Sequence, residues 1–110
     1  LCRTDLGGLR DMGKLVRDKI PDIIRQSGQE PTVTVLPEDA YRDALVAKLF
    51  EESTELGQAS PDEVTGEIAD VYEVLRALAA VHGHDWTTIE AVAAAKREER
   101  GAFRERLYLA

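Results

Sequence analysis

The chain has 110 residues, of which 44% are hydrophobic and 32% are charged, and its formal net charge is −7. A chain of this length suits one domain with a modest core, and its excess of acidic residues argues against a nonspecific binder of nucleic acids or membrane surfaces. A single cysteine excludes an internal disulfide, and because neither a signal-peptide pattern nor an apolar run of roughly 20 residues is present, we expect a cytoplasmic protein.

The organised part of the chain is expected to begin near Met12. Residues 1–11 show no periodicity and contain a Gly-Gly pair. We therefore expect a poorly ordered tail or a non-native start there, followed by one domain over residues 12–110.

A basic segment comes next in this otherwise acidic chain. Its three clustered cations are Lys14, Arg17 and Lys19. Alone, such a cluster is typical of a solvated turn. A capping Asp18, a proline suited to a first turn at Pro21 and a terminating Gly28 predict a short helix directly after it.

Two stretches of the chain are predicted to be extended. In residues 31–36, threonine and valine alternate, and most side chains are β-branched. This pattern indicates one short extended segment without a partner strand in the chain. It either pairs across an oligomer or simply runs extended. The C-terminal tail has apolar residues at Leu107 and Leu109, and we expect it to dock on a partner or on residues 32–36.

Two long amphipathic helices are predicted in the middle of the chain, at about residues 38–57 and 62–82. Gly57 is expected to end the first and Gly83 the second, and the short linker indicates antiparallel packing. At about 100° per residue, apolar side chains form one stripe on each helix. The stripes are Leu45, Leu49 and Leu56 in the first helix and Val64, Ile68, Val71, Leu75 and Leu78 in the second.

A third long helix is predicted at about residues 86–100, with Asp85 as N-cap and Gly101 as the stop. Just before it, His82 and His84 straddle a helix end in a spacing that suits metal ligands poorly, so we interpret them as capping or surface residues. Trp86 is interpreted as a core anchor, although a tryptophan can also stack a base. The basic last turn of the helix contains Lys96, Arg97 and Arg100.

Both central helices carry carboxylates beside their apolar stripes. Glu52 projects into the first stripe, and Glu55 lies one turn on at its flank. Glu67 and Asp70 are spaced i, i+3 along one edge of the second stripe. Converging carboxylates repel one another unless a cation lies between them, and hard divalent cations prefer oxygen ligands. The spacing predicts a metal site; the alternative is an ordinary solvated acidic face.

Three segments resemble one protein family. Residues 51–55 (Glu-Glu-Ser-Thr-Glu) followed by residues 67–70 (Glu-Ile-Ala-Asp) resemble the Glu-Glu-x-x-Glu … Glu-x-x-Asp pattern of the MazG-like all-α nucleoside triphosphate pyrophosphohydrolases. Residues 14–21 are similar to the opening of a small single-domain branch, often labelled phosphoribosyl-ATP pyrophosphohydrolase-like, and residues 96–103 to its closing motif. Ala102 stands where that branch commonly has a second glycine.

The resemblance implies Mg²⁺-dependent hydrolysis of a nucleoside triphosphate, standard or non-standard, to monophosphate and pyrophosphate in a house-cleaning role, with Mn²⁺ as a substitute metal. The implied metal ligands are Glu52, Glu55, Glu67 and Asp70. Glu51 or a ligand carboxylate such as Glu52 would deprotonate the attacking water. The available phosphate partners are Lys14, Arg17, Lys19, Lys48, Lys96, Arg97 and Arg100. The chain lacks a Gly-rich phosphate loop, so it is not a P-loop enzyme.

The expected fold is an all-α, MazG-like helical bundle with a short N-terminal helix, completed by oligomerisation, most simply as a dimer. The expected partner is a nucleoside triphosphate, with no nucleic acid and no membrane. Two other functions stay open at this point: a non-catalytic nucleotide-binding regulator and a helical oligomerisation module.

Overall fold

The computed structural model describes residues 13–110, which form four α-helices and contain no β-strand. The helices are α1 (Ile20–Gln26), α2 (Glu38–Gln58), α3 (Val64–Val81) and α4 (Trp86–Arg100). The all-α prediction is confirmed for this part of the chain. The expectations for residues 1–11 lie outside the described residues.

The short helix α1 begins with a proline in its first turn. Pro21 is tolerated there because the first N–H groups of a helix have no acceptor within it. The predicted cap is wrong, since Lys19 rather than Asp18 precedes the helix and no side chain caps it. The chain leaves α1 through a turn that ends at Gly28, whose φ of 96° favours glycine.

Helix α2 begins directly after Pro37, which has extended backbone angles. Glu38 and Asp39 occupy the first turn, where negative side chains interact favourably with the helix dipole. The predicted stop at Gly57 is wrong: this glycine lies in the last turn, and α2 ends at Gln58. A glycine commonly ends a helix by adopting a positive φ, and Gly57 does not do so.

Two later glycines follow the ends of their helices as predicted. Gly83 has a φ of 81° after α3, and Gly101 has a φ of 86° after α4. Asp85 immediately precedes α4 as expected, but its side chain makes no capping hydrogen bond.

The antiparallel hairpin of α2 and α3 is the centre of the fold. Only residues 59–63 join the two helices, and α4 makes a smaller contact with α3. Among the described residues, the buried hydrophobic side chains are Leu45 and Val74, and the buried charged residue is Glu52. The core of this single chain is therefore small. Within residues 13–110, no helix combines the length and apolar character needed to cross a bilayer.

The inward face of α3 differs from the predicted stripe. Ile68 and Leu75 are 52% and 40% exposed, whereas Val74, which was not in the stripe, is buried. The edge that carries Glu67 and Asp70 therefore turns toward α2, and the apolar stripe points partly into solvent. This rotation places the acidic edge of α3 in front of the acidic positions of α2.

The segments outside the helices expose large apolar side chains. Residues 29–37 have no regular secondary structure, and Val35 is 92% exposed. Phe103 and Leu109 in the tail are 98% and 97% exposed. The tail therefore does not dock on residues 32–36 of its own chain.

Candidate metal centre

Glu52 is a carboxylate on the buried side of α2. It follows the buried Leu45 by seven residues, close to two helical turns, so both side chains face α3. The Glu52 side chain is only 9% exposed. Burial of a carboxylate is costly unless positive charge or hydrogen bonds compensate for it. Glu52 therefore needs cationic partners.

Two overlapping groups of carboxylates meet at Glu52. The first consists of Glu51, Glu52 and Glu55 on α2, and the second joins Glu52 to Glu67 and Asp70 on α3. Within each group, one oxygen from every residue lies within 4.8 Å of the others. The structure thus brings the four predicted ligand positions together around one buried glutamate, from two helices that are adjacent in sequence.

Two buried oxygens of this cluster lack a hydrogen-bond partner. They are Oε1 of Glu52 and Oε1 of Glu67. An unsatisfied buried acceptor typically costs about 1–3 kcal/mol, and more when it is charged. Carboxylate oxygens without another partner are the ligands that a hard divalent cation takes. The donor set therefore fits Mg²⁺ or Mn²⁺.

The surroundings of Glu55 raise the pKa of its carboxyl group. The largest cause is desolvation, followed by the negative charges of Glu52 and Glu51. Lys48 and Lys14 act in the opposite direction without cancelling the rise. Negative charge therefore exceeds positive charge at this end of the cluster.

The pKa of Glu67 is also raised. Desolvation is again the largest cause, and repulsion from Glu55 and Asp70 follows. No ion pair joins Glu67 to any residue in the described part of the chain. Of the carboxylates in the cluster, Glu67 is the one with a buried oxygen and no cationic partner.

Lys48 supplies the nearest positive charge on α2. Its Nζ lies 3.4 Å from Glu51 Oε1 and 3.3 Å from Glu52 Oε2. Its side chain is 17% exposed, so this pairing is screened less than a surface ion pair. The i, i+3 and i, i+4 spacing of the three residues places them on one side of the helix. Lys48 thus compensates one oxygen of Glu52 and leaves the other unpaired.

The basic segment before α1 reaches the same carboxylates. Arg17 Nη2 donates a hydrogen bond of 2.7 Å to Asp70 Oδ1. Lys14 Nζ lies 3.6 Å from Glu51 Oε2. Residues separated by more than 35 positions in sequence therefore converge, while the side chains of Lys14 and Arg17 remain 64% and 56% exposed.

An open cleft of about 640 Å³ lies between this segment and the α2–α3 hairpin. Its floor includes the buried Leu45, Glu52 and Val74. The cations that line it are Lys14, Arg17, Lys19 and Lys48. A volume of this size falls within the usual range for small-molecule sites.

The second predicted basic group lies elsewhere. Lys96, Arg97 and Arg100 are exposed on α4, and none of them lines the cleft. Arg100 Nε lies 3.8 Å from the neighbouring Glu99 Oε1. Within one chain, these three cations are not brought to the carboxylates.

Two further residues of the cleft were not identified from the sequence. Glu73 lines it one turn beyond Asp70 and continues the i, i+3 series that begins at Glu67. Tyr41 lines it one turn before Leu45. The series of acidic residues could have revealed Glu73, whereas nothing in the local sequence distinguishes Tyr41 from other residues of α2.

An aromatic cluster holds α4 against α3. The rings of Tyr72 and Trp86 meet edge to face, with centroids 5.4 Å apart. The Arg76 guanidinium lies over both rings and donates a 2.8 Å hydrogen bond to the Tyr72 hydroxyl, which raises the pKa of Arg76. Trp86 thus anchors one helix on another, while His82 and His84 are exposed at the end of α3.

Comparison with known proteins adds a partial match. An uncharacterized protein of Mycolicibacterium smegmatis is 52% identical over 48 residues, which cover 44% of this chain and 49% of that protein. The chain thus matches about half the length of that curated relative. No family model matches the chain, and no solved structure matches it.

Proposed function

We propose that the chain is a Mg²⁺-dependent pyrophosphohydrolase that converts a nucleoside triphosphate to a monophosphate and pyrophosphate. The observation that carries the proposal is the buried Glu52, which has one oxygen without a hydrogen-bond partner and forms a group with carboxylates of a second helix beside a cleft lined with cations. The resemblance of residues 51–55 and 67–70 to the MazG-like pattern supports the same assignment. Charged groups of both signs beside one open cleft suit a metal–triphosphate substrate.

The metal would be held by carboxylates from both helices of the hairpin. Glu52 is common to the two groups, and Glu55, Glu67 and Asp70 complete them. When bound, Mg²⁺ supplies positive charge that neutralises phosphate oxygens and stabilises the charge that develops during transfer. All four carboxylates must be ionised to act as ligands, so the raised pKa values of Glu55 and Glu67 make metal affinity increase with pH.

Glu51 is the candidate general base. It is half-buried at the edge of the cluster and is held by Lys14 and Lys48 on its two oxygens. In the proposed reaction, a water oxygen forms a bond to the α-phosphorus. At the same time, the bond from the α-phosphorus to the oxygen that bridges it to the β-phosphate breaks. The water proton passes to the carboxylate, and pyrophosphate leaves with the electron pair of the broken bond.

The phosphates would be held by the cations of the cleft. Lys14, Arg17 and Lys19 come from the segment before α1, and Lys48 comes from α2. Arginine is suited to bidentate contact with phosphate, whereas lysine acts as a point charge. In this proposal, the carboxylates bind the metal and the N-terminal cations bind the triphosphate.

We further propose that the chain works as a homo-oligomer, most simply a dimer. Large apolar side chains remain exposed on α2 and α3, among them Phe50 at 69% and Ile68 at 52%. Exposed apolar area of this kind marks association surfaces. Lys96, Arg97 and Arg100, which do not reach the cleft of their own chain, would contact substrate only from a second copy.

A product screen tests the proposed activity. The chain is incubated with standard and modified nucleoside triphosphates in Mg²⁺, and pyrophosphate, orthophosphate and monophosphate are quantified separately. We expect equal amounts of monophosphate and pyrophosphate, and no turnover in EDTA. Tight nucleotide binding without product would instead identify a regulator, and neither binding nor product would leave a helical oligomerisation module.

A further inference from the structure

The cation nearest to the candidate metal ligands of α3 belongs to Arg17. Its Nη2 lies 2.7 Å from Oδ1 of Asp70, and Asp70 forms a group with Glu52 and Glu67. The guanidinium therefore supplies positive charge at the edge of the region where the proposed divalent cation would lie. Its side chain is 56% exposed, so solvent surrounds more than half of it and it can leave without disturbing the core.

A divalent cation and the Arg17 guanidinium would compete for the carboxylate of Asp70. Like charges separated by a few ångströms repel, and solvent screens part of this repulsion because the Arg17 and Asp70 side chains are 56% and 38% exposed. The metal also competes directly for the electron pairs of Asp70. Binding of the metal therefore favours release of Arg17 from Asp70.

The released guanidinium remains beside the cleft. Arg17 lines it together with Lys14 and Lys19, and the backbone carbonyl of Arg17 accepts a hydrogen bond from the Ile20 N–H at 3.0 Å. This bond ties the backbone of Arg17 to the start of α1 while the side chain is free to rotate. A triphosphate in the cleft offers anionic oxygens that guanidinium binds in bidentate fashion.

We infer that Arg17 is an exchange residue, which pairs with Asp70 in the metal-free protein and transfers to a substrate phosphate when the divalent cation binds. This inference rests on the proposed function and gives it a binding order: the metal frees the group that holds the phosphate. Metal binding and phosphate binding are then positively coupled through Arg17, and the coupling is reciprocal because it is a property of binding free energies.

Removing Arg17 has opposite effects on the two ligands. Arg17→Ala deletes a competitor for Asp70, so Mg²⁺ binds more tightly, on the order of two- to fivefold for an exposed ion pair. The same change removes a phosphate contact, so inorganic tripolyphosphate binds about tenfold or more weakly. A residue with a merely structural role would weaken both ligands or neither.

The experiment is calorimetric titration of the full chain with Mg²⁺ alone, and then with tripolyphosphate at several buffered concentrations of free Mg²⁺. The variants are Arg17→Ala, Arg17→Lys and, as the matched control, Arg25→Ala. Arg25 pairs with Asp22 and Glu30 and does not line the cleft, so its variant should match the wild type. Arg17→Lys keeps the competing charge and should retain most of the coupling.

Tighter Mg²⁺ binding in Arg17→Ala, with a smaller effect of Mg²⁺ on tripolyphosphate affinity, supports the exchange. Unchanged or weaker Mg²⁺ binding in that variant overturns it, even where the wild type binds Mg²⁺ and releases pyrophosphate, so the proposed function survives that result. Absence of Mg²⁺ binding in both proteins overturns the exchange and the metal-dependent function together. Binding by Arg17→Ala alone supports the exchange in its strongest form.

Discussion

At the scale of single residues, the most unusual feature of the molecule is the burial of the charged Glu52 side chain. This carboxylate is buried on a core face, one of its oxygens pairs with Lys48, and the other has no partner. A side chain selected only for stability would be apolar at this position, because replacing a buried charge by a hydrophobic residue is often stabilising. The proposed function accounts for this carboxylate as a metal ligand.

The first prediction concerns this ligand. Glu52→Gln keeps the shape of the side chain but removes its charge, so we expect Mg²⁺ affinity and pyrophosphate release to fall at least about 100-fold, beyond the 10–100-fold typical of residues that only support a ligand. Glu90→Gln, an exposed glutamate on α4 outside the cleft, is the matched control. Unchanged turnover in Glu52→Gln would exclude the site.

The second prediction concerns pH and Glu67. Its folded-state pKa is raised above the ordinary value of 4.5, so the folded protein binds its proton more tightly than the unfolded chain does. The contribution of this group to the stability of the folded state is therefore lost as pH rises from 4.5 through the folded-state pKa. Glu67→Gln cannot ionise, so it should raise the metal-free melting temperature more at pH 7 than at pH 4.

Thermal denaturation in EDTA across this pH range checks the second prediction, with Glu90→Gln reporting the effect of removing one exposed charge. A melting-temperature difference between Glu67→Gln and wild type that shrinks as pH rises would contradict the sign. In excess Mg²⁺ the advantage of the variant should reverse, because the wild type then gains binding energy that the variant lacks.

At the scale of helices, the sequence predicts where a helix begins and ends better than it predicts which side of the helix faces the core. The helix starts at Glu38 and Trp86 and the end at Arg100 match the predicted bounds, since prolines and glycines act locally. The face of α3 that packs on α2 could not be predicted from the apolar stripe of α3 alone. It also depends on the side chains of α2 that it contacts. Apolar and acidic positions of α3 compete for the interface, and Val74 is the one that is buried there.

The third prediction tests this rotation. Val74→Ala removes two buried methyl groups and should lower the unfolding free energy by about 2 kcal/mol, from transfer and cavity terms together. Val92→Ala makes the same chemical change on α4, where the side chain is 51% exposed, and should cost less than about 0.5 kcal/mol. Urea denaturation at low protein concentration measures both, and equal losses would show that Val74 does not face the core.

The candidate site shows the same limit of sequence reasoning. The carboxylates of α2 and α3 could be placed together because a short linker forces the helices to be antiparallel. The contact of Arg17 with Asp70 could not, since it depends on the path of residues 13–19 across the hairpin rather than on any helical period. The position of Lys96 and its neighbours likewise depends on the packing of α4 on α3.

At the scale of the whole molecule, the single chain leaves much of its apolar surface uncovered. Besides Phe50 and Ile68, the tail exposes Leu107 at 85% and Tyr108 at 95%. The described chain extends over 50 × 34 × 29 Å, which is elongated for its size. The proposed dimer would cover part of this exposed apolar surface.

The fourth prediction is that the chain sediments as a dimer at micromolar concentration. Phe50→Glu places a charge on an exposed apolar position of α2 and should shift the equilibrium toward monomer without loss of helical circular dichroism, because Phe50 contributes little to the core of its own chain. Wild-type protein that remains a monodisperse monomer at high micromolar concentration would contradict the prediction.

The most direct test of the metal centre is anomalous diffraction from crystals of the full chain grown in Mn²⁺. The proposed function places an anomalous peak among the oxygens of Glu52, Glu67 and Asp70, with manganese–oxygen distances of about 2.0–2.4 Å, and predicts loss of that peak in Glu52→Gln. Arg17 should then be displaced from Asp70. A map without a peak among these carboxylates, or with Arg17 still bonded to Asp70 beside a bound metal, would contradict the account.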